Sequence, residues 1–203
     1  MSTPGPFQDK PAIRVDGLAI SRGGRILFEG LSFTADAGRF VEITGANGSG
    51  KTSLLRAIAG YLRPHAGQIR VEGVSEAPTA IHYIAHANAL KGADTPGEHL
   101  RYWAGLFGGR VDEGALKTVG LARQAALPAR VLSQGQARRL ALSRLLIAPR
   151  PIWLLDEPAA ALDAEGRGLL AGMIETHRRN GGLVLAAIHE PLGVAADQSV
   201  TVR

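Results

Sequence analysis

The chain has 203 residues, of which 45% are apolar, and this is enough to build the core of one α/β domain with a small insertion. It contains no Cys, which excludes a disulfide framework and a thiolate metal site and indicates a reducing compartment, by default the cytoplasm. The net charge of +5 is carried by Arg residues scattered along the chain without a Lys/Arg run, so we expect no nucleic acid as a partner.

The first part of the chain predicts an antiparallel β layer. The alternation of apolar and polar residues in 13–18 predicts one strand. The segments 25–28 and 31–33 predict a second and a third strand, separated by a turn at Gly30. Residues 68–72 alternate again, so we expect them to extend the same layer.

Apolar runs in the sequence are too short for a membrane segment. The longest uncharged ones, such as 183–188, are far below the roughly 20 residues that a membrane helix needs. Residues 1–10 carry polar and charged side chains among Pro and Gly, and we expect a loose tail there rather than a signal peptide or packed structure. Any membrane span therefore has to come from another chain.

A glycine-rich segment between a predicted strand and a predicted helix fits the phosphate-loop pattern G-x-x-x-x-G-K-[ST] at every fixed position. Its glycines let backbone N–H groups point at phosphate oxygens, and the following helix adds its positive dipole end. We expect Lys51 to reach the β and γ phosphates of a nucleoside triphosphate and Thr52 to ligate Mg²⁺. The alternative is a plain glycine-rich turn. The loop residues are Gly45, Ala46, Asn47, Gly48, Ser49, Gly50, Lys51 and Thr52.

The middle of the chain predicts a helical insertion, at about residues 92–150. A short strand is expected at 80–85, and a capping box at Thr95 then begins an amphipathic helix. A second helix is expected at 115–119. We therefore expect a single domain over 1–203, in which this helical subdomain interrupts an α/β core.

A second capping box, formed by Ser133 and Gln136, begins another predicted helix with Leu140 and Leu145 on its inward face. Taken alone, the pattern indicates a well-capped helix and nothing more. Gly135 in the first turn costs roughly 0.5–1 kcal/mol of helix stability relative to Ala, which indicates that some group approaches the backbone there. A phosphate is one candidate for that group.

Two carboxylates, Asp156 and Glu157, follow an apolar run, 151–155, that predicts a parallel strand buried on both faces. In phosphate-loop enzymes the first holds Mg²⁺, often through water, and the second orients or deprotonates the attacking water. The alternative, an acidic turn after a core strand, is disfavoured by the presence of the phosphate loop. A last buried strand, 183–188, places His189 at its carboxyl end, where ligands bind in α/β sheets.

Two other His residues are expected to be solvated and to have no role. His65 lies in a predicted turn, and His177 lies near the end of a helix predicted over 164–177. Gly181 and Gly182 end that helix.

Together these motifs resemble the nucleotide-binding subunit of ABC transporters over nearly the whole chain. The residues that carry this resemblance are 45–52, 132–136, 154–158, 161–163 and His189. Within that superfamily the chain is similar to the CcmA family, the ATP-binding subunit of the haem exporter of cytochrome c maturation. The segments that carry this closer resemblance are 48–56, 84–86, 90–91, 136–145 and 189–192.

The resemblance implies an α/β fold, namely a phosphate-loop NTPase core of mixed sheet and helices with the antiparallel β layer and the helical subdomain attached. It implies an ATPase that uses ATP and Mg²⁺, with Thr52 and Asp156 at the metal. By the same resemblance, Glu157 is the general base and His189 contacts the γ phosphate.

The resemblance also implies a head-to-tail homodimer. ATP is sandwiched between the phosphate loop of one chain and Ser133, Gly135 and Gln136 of the other, and Asp163 lies in the loop that joins the two sites. The other implied partners are an integral-membrane permease subunit and further cytochrome c maturation membrane proteins. They would hold this chain at the cytoplasmic face of the bacterial inner membrane.

Two positions depart from the superfamily pattern. An aromatic residue usually stacks on adenine in the turn after the first strand, whereas Arg22 lies near that place here. Where a Gln normally senses the γ phosphate and Mg²⁺, this chain has His86, as the CcmA family does. Asn88 is the alternative if the loop is displaced by two residues.

Two functions of different classes follow from these features. The first is an ATPase that energises a membrane complex in c-type cytochrome biogenesis, by haem export or haem-chaperone release, or one that serves another transported substrate. The second is a soluble ABC ATPase acting on ribosomes or nucleic acid, which normally needs two such domains or a long inserted arm. Because 203 residues leave room for neither, we expect the first.

Overall fold

The computed structural model describes Phe7 and residues 10–111 and 114–203, and most of the predicted tail lies outside these ranges. Phe7 packs edge-on against His177 with ring centroids 5.3 Å apart, so the tail is not loose at this residue. The strands are β1 Ala12–Arg22, β2 Arg25–Asp36, β3 Phe40–Thr44, β4 Ala66–Glu72, β5 Ile81–Ile84, β6 Ile152–Asp156, β7 Leu183–Ala187 and β8 Gln198–Thr201. The helices are α1 Lys51–Ile58, α2 Ala77–Ala80, α3 Pro96–Phe107, α4 Gly114–Thr118, α5 Gln134–Ile147 and α6 Ala164–Arg179, with 3₁₀ turns at Ala122–Gln124 and Ala129–Val131.

The predicted antiparallel layer is a three-stranded sheet in the order β2-β1-β4. The prediction of two strands at 25–28 and 31–33 was wrong, because both belong to the single strand β2. Gly30 has a φ of 69° and lies inside this strand instead of in a turn. The register with β1 shifts between the pairs Leu18–Leu31 and Ile20–Phe28, so Gly30 lies in a bulge that bends the strand without ending it.

The larger sheet has the strand order β5-β6-β7-β3-β8 and forms the core of the fold. Every neighbouring pair in it is parallel, so it is not the mixed sheet that was expected. The difference arises because its strands are joined by crossover connections, while the antiparallel strands all belong to the smaller sheet. The carboxyl ends of β3, β5, β6 and β7 consequently meet at one edge, where the candidate site lies.

Hydrophobic clusters cover both faces of the parallel sheet. In β6, Trp153 and Leu155 face a cluster that includes buried residues of α3, α4, α5 and α6. Ile152 and Leu154 face the opposite cluster, which includes residues of α1 and of the antiparallel sheet. The apolar run 151–155 is thus explained by burial on both faces, as predicted.

The segment between β5 and β6 carries α3, α4 and α5, and both α3 and α4 pack against α5. The two predicted capping boxes are present, at Thr95 for α3 and at Ser133 for α5. Among the described residues, no helix combines the length and the apolar character that crossing a membrane requires.

His177 is buried, which corrects the prediction that it is solvated, whereas His65 is exposed as expected. The imidazole of His177 stacks on Trp153 with ring centroids 3.8 Å apart and an angle of 13° between the ring planes. Its position on α6, four residues after Met173 and three after Ile174, puts it on the inward face of the helix. Burial lowers the pKa of His177 from 6.5 to about 4.

Candidate nucleotide site

The phosphate loop joins the carboxyl end of β3 to the first turn of α1. Gly45 and Gly50 have φ angles of 143° and 111°, which side chains other than glycine rarely adopt. A Cβ on Gly45 would collide with the Val202 carbonyl oxygen, and a Cβ on Gly50 would lie 2.9 Å from Phe28 Cδ1. Packing and backbone geometry therefore both require glycine at these two positions.

Polar groups of the loop are arranged to receive an anion. Lys51 is 6% exposed, and its Nζ donates to the carbonyl oxygens of Gly45 at 2.8 Å and Ala46 at 3.1 Å. The Oγ of Ser49 is buried and has no hydrogen-bond partner among the described residues. Because a buried hydroxyl without a partner is unfavourable, a ligand in the loop would satisfy it, and a phosphate fits this requirement.

Thr52 and Asp156 bring the phosphate loop together with the end of β6. Thr52 Oγ1 donates to Asp156 Oδ1 at 2.9 Å, and the Tyr83 hydroxyl donates to Asp156 Oδ2 at 3.4 Å. Burial raises the pKa of Tyr83, which keeps its hydroxyl protonated as a donor. A hydroxyl and a carboxylate are oxygen ligands of the kind that Mg²⁺ prefers, so this pair fits that ion.

Glu157 lies between two imidazoles. His189 Nε2 is 3.0 Å from Glu157 Oε1, and His86 Nδ1 is 3.1 Å from Glu157 Oε2. The side chain of Glu157 is 32% exposed, so the carboxylate is accessible from the solvent side. The three residues come from the ends of three parallel strands, β5, β6 and β7, which explains why positions far apart in the sequence meet.

A cavity of about 490 Å³ lies over the phosphate loop, within the size range of small-molecule sites. Arg22, at the end of β1, borders it near the loop, and both Glu157 and His189 reach it from the other side. Neither His86 nor Asn88 lines the cavity. Its lining consists of Arg22, Leu27, Asn47, Gly48, Gly50, Lys51, Thr52, Ser53, Glu157 and His189.

The residues expected to contact ATP across a dimer lie on the first turn of α5, away from this cavity. Ser133 Oγ accepts from the Gln136 backbone N–H at 3.2 Å, and Gln136 Oε1 accepts from the Ser133 N–H at 2.9 Å. A Cβ on Gly135 would lie 2.8 Å from the Ala161 carbonyl oxygen. Within the chain, the group that approaches Gly135 is therefore this carbonyl oxygen.

Asp163 follows Ala161 and begins the next helix. Its Oδ1 accepts from the Gly166 backbone N–H at 2.8 Å, which makes it the N-cap of α6. Ala161 has a φ of 63°, in the left-handed region. The tight turn that links Glu157 to α6 is thereby packed against the first turn of α5.

Arg138 is a residue of this region that the sequence reasoning missed. It lies on the second turn of α5, is 2% exposed and donates hydrogen bonds to the backbone carbonyl oxygens of Asp156 and His86. Its spacing from Ala141 and Leu145 puts it on the apolar face of the helix. An Arg in that position is the signal that could have identified it.

The comparisons with known proteins identify the class of domain. A family model described as ABC transporter matches residues 28–160. A solved structure of a putative ABC transporter ATP-binding protein from Pyrococcus furiosus aligns with a TM-score of 0.83 at 25% identity, over 94% of this chain and 97% of that one. The fold and the site thus define an ATP-binding and ATP-hydrolysing domain of the ABC transporter type.

Curated relatives narrow the assignment. The cytochrome c biogenesis ATP-binding export protein CcmA of Rhodopseudomonas palustris (strain BisB5) is 48% identical over 185 residues, which cover 89% of this chain and 92% of that protein. CcmA of Nitrobacter winogradskyi is 48% identical over 186 residues, covering 89% of this chain and 93% of that protein. The chain belongs to the CcmA family.

Proposed function

We propose that this chain is the ATP-hydrolysing subunit of an ABC transporter complex in c-type cytochrome biogenesis, where it energises a membrane partner in haem export or haem-chaperone release. The observation that carries the hydrolytic part is the convergence of Thr52, Asp156 and Glu157 beside the phosphate loop. Membership of the CcmA family supports the role in cytochrome c biogenesis.

Phosphate binding is assigned to the loop itself. The backbone N–H groups of 45–52 and the ammonium of Lys51 contact the β and γ phosphates, and the unpartnered hydroxyl of Ser49 gains an acceptor. Thr52 and Asp156 would hold Mg²⁺, which supplies charge neutralisation at the phosphate oxygens when bound. Lys51 exchanges its two carbonyl acceptors for phosphate oxygens, to which a cation binds more strongly.

Proton transfer is assigned to Glu157, with His189 as the residue that contacts the γ phosphate. Glu157 lines the cavity and follows the buried strand β6, so its carboxylate is presented beside the loop by a rigid element. Hydrolysis requires a base within hydrogen-bond reach of the attacking water. His189 Nε2, at 3.0 Å from Glu157 Oε1, orients the carboxylate for that role.

The ATP site is completed by a second copy of the chain. Ser133, Gly135 and Gln136 lie outside the cavity of their own chain, as a trans-acting set requires. In this proposal they close over ATP bound to the partner, and Asp163 lies between the two sites. An integral-membrane permease subunit contacts the helical subdomain at about 92–150 and holds the pair of ATPase chains at the cytoplasmic face of the inner membrane.

Two substitutions test the ATPase and the dimer. Lys51→Ala removes the ammonium from the loop and is expected to lower Mg²⁺-dependent ATP hydrolysis by roughly 100-fold or more. Lys117→Ala, at an exposed position of α4, is the matched control and leaves activity unchanged. Undiminished hydrolysis in Lys51→Ala contradicts the assignment.

Glu157→Gln keeps the shape of the side chain but removes the base, so ATP remains bound and the sandwiched dimer accumulates. Size-exclusion chromatography with ATP and Mg²⁺ measures this as a shift from monomer to dimer. A variant that binds ATP yet stays monomeric at high protein concentration argues against the two-chain site.

A further inference from the structure

Arg138 is a buried cation without a side-chain ion pair among the described residues. Its guanidinium donates instead to five backbone carbonyl oxygens and one side-chain amide oxygen. Burial lowers its pKa to about 10, so the group stays charged at neutral pH. Without it, these carbonyl oxygens would lose their donor, so the guanidinium ties together the segments that carry them.

Three of the acceptors are consecutive. Arg138 Nη2 donates to the carbonyl oxygens of Asp156 at 2.9 Å and Glu157 at 2.8 Å, and Nε donates to that of Pro158 at 3.1 Å. The guanidinium therefore binds the carbonyl groups of the proposed general base and of the residues on both sides of it.

The backbone of Glu157 needs such support. Its φ is 49°, in the left-handed region that is unfavourable for residues other than glycine. A conformation of this kind persists when surrounding contacts over-determine it. Here the Glu157 N–H donates to the Ala187 carbonyl oxygen at 3.0 Å, and the carbonyl group is held by Arg138.

The remaining acceptors belong to the segment that carries His86. Arg138 Nη1 donates to the Ala85 carbonyl oxygen at 2.8 Å, the His86 carbonyl oxygen at 3.3 Å and Asn88 Oδ1 at 3.2 Å. The same guanidinium thus fixes the backbones of both members of the His86–Glu157 contact. It also lies only five positions after Ser133, on the helix whose first turn belongs to the proposed trans site.

We propose that Arg138 is a positioning residue of the hydrolytic site, which holds the backbone of Glu157 and the segment 85–88 in a fixed relation to α5. A displacement of segment 85–88 or of α5 is then transmitted to the carboxylate of Glu157. The inference rests on the proposed function, because it concerns the same site. It adds a residue that does not touch the nucleotide and acts through the backbone of one that does.

Steady-state kinetics of Arg138→Gln test the proposal. Gln is neutral and shorter, and it cannot span the two segments, so kcat is expected to fall by about 10- to 100-fold, as for small misplacements of a catalytic group. The KM for ATP is expected to change by less than about 3-fold, because the phosphate loop is untouched.

Arg144→Gln is the matched control. Arg144 lies on the same helix, is also largely buried and donates to the Tyr83 carbonyl oxygen at 2.8 Å, but among the described residues it has no hydrogen bond to 85–88 or 156–158. Its replacement removes a buried cation and a hydrogen bond to the backbone of β5, and it is expected to leave kcat nearly unchanged. An equal fall of kcat in both variants, or no fall in Arg138→Gln, overturns the proposal.

Backbone hydrogen exchange of the wild type and Arg138→Lys tests the proposal even if Arg138→Gln does not fold. Lys retains the charge, but it lacks the planar guanidinium that can donate to several carbonyl groups at once. Exchange is expected to accelerate by about 10-fold or more at the N–H groups of Glu157 and Ala160, which are hydrogen-bonded in the structure, while β1 and β2 stay unchanged. Unchanged exchange at both groups overturns the inference. This readout needs no hydrolysis, so an inactive wild type would contradict the proposed function alone.

Discussion

His86 contacts the proposed general base directly, because its Nδ1 lies 3.1 Å from Glu157 Oε2. The other carboxylate oxygen lies 3.0 Å from His189 Nε2. Each carboxylate oxygen has two acceptor lone pairs, so Glu157 keeps acceptor sites for a water while it contacts both imidazoles. The His86 contact therefore links the segment after β5 to the carboxylate that is proposed to accept the proton.

This arrangement predicts the behaviour of His86→Ala. ATP affinity is expected to stay nearly the same, because His86 does not line the nucleotide cavity. Stimulation of hydrolysis by the membrane partner is expected to weaken, since the contact that would transmit the partner's movement to Glu157 is absent. ATPase assays with and without the partner measure the stimulation ratio. Asn88→Ala is the control, and full stimulation in His86→Ala with loss in Asn88→Ala would transfer the role to Asn88.

Arg22 borders the cavity at the end of β1, where its guanidinium can lie over a purine face. Such stacking does not distinguish the edge groups of adenine from those of guanine. ATP and GTP are therefore expected to bind with affinities within about 5-fold of each other, a difference of roughly 1 kcal/mol. Competition between the two nucleotides for a fluorescent analogue measures the ratio. A preference for ATP far above this factor would mean that other residues read the base.

The burial of His177 predicts a pH dependence of stability. Its pKa in the folded protein is about 4, against 6.5 for the free group. Between these values the unfolded chain binds a proton that the folded chain excludes, so the free energy of unfolding falls as the pH is lowered from 6.5 to 4. The full loss is roughly 3 kcal/mol. Chemical denaturation at a series of pH values measures the decrease.

His177→Phe separates this contribution from other titrations. Phe retains a flat ring for the stack on Trp153 but does not titrate, so the decrease below pH 6.5 should be smaller by about the same amount. The variant should keep a pH dependence of the free energy of unfolding, smaller than that of the wild type, because His82 is also buried and its pKa is lowered to about 3. An unchanged pH dependence in His177→Phe would contradict the assignment.

Sequence reasoning succeeded where the signal is local. The phosphate loop, the strand before it and the capping boxes at Thr95 and Ser133 each depend on a few neighbouring residues. The buried strand also predicted the location of Asp156 and Glu157, because residues at the carboxyl end of a parallel strand lie at the edge of the sheet where ligands bind.

The missed features depend on tertiary contacts. Gly30 looked like a turn because glycine signals turns and bulges alike, and only pairing with β1 distinguishes them. Near a helix end, His177 gives no local sign that Trp153 will cover it. The role of Arg138 likewise has no local signal, since its acceptors lie 18 to 53 positions away in the sequence.

The hydrogen bond between Val202 and Thr44, at the start of the phosphate loop, constrains when the nucleotide site can form during synthesis. The Val202 N–H donates to the Thr44 carbonyl oxygen at 2.9 Å, and β3 lies between β7 and β8. The strand that carries the phosphate loop is thus flanked by two strands that leave the ribosome about 140 and 155 residues later. Pairings across such long separations close slowly. Ribosome-bound chains that end before residue 183 lack both flanking strands, so they should lack the ordered loop and should not retain ATP.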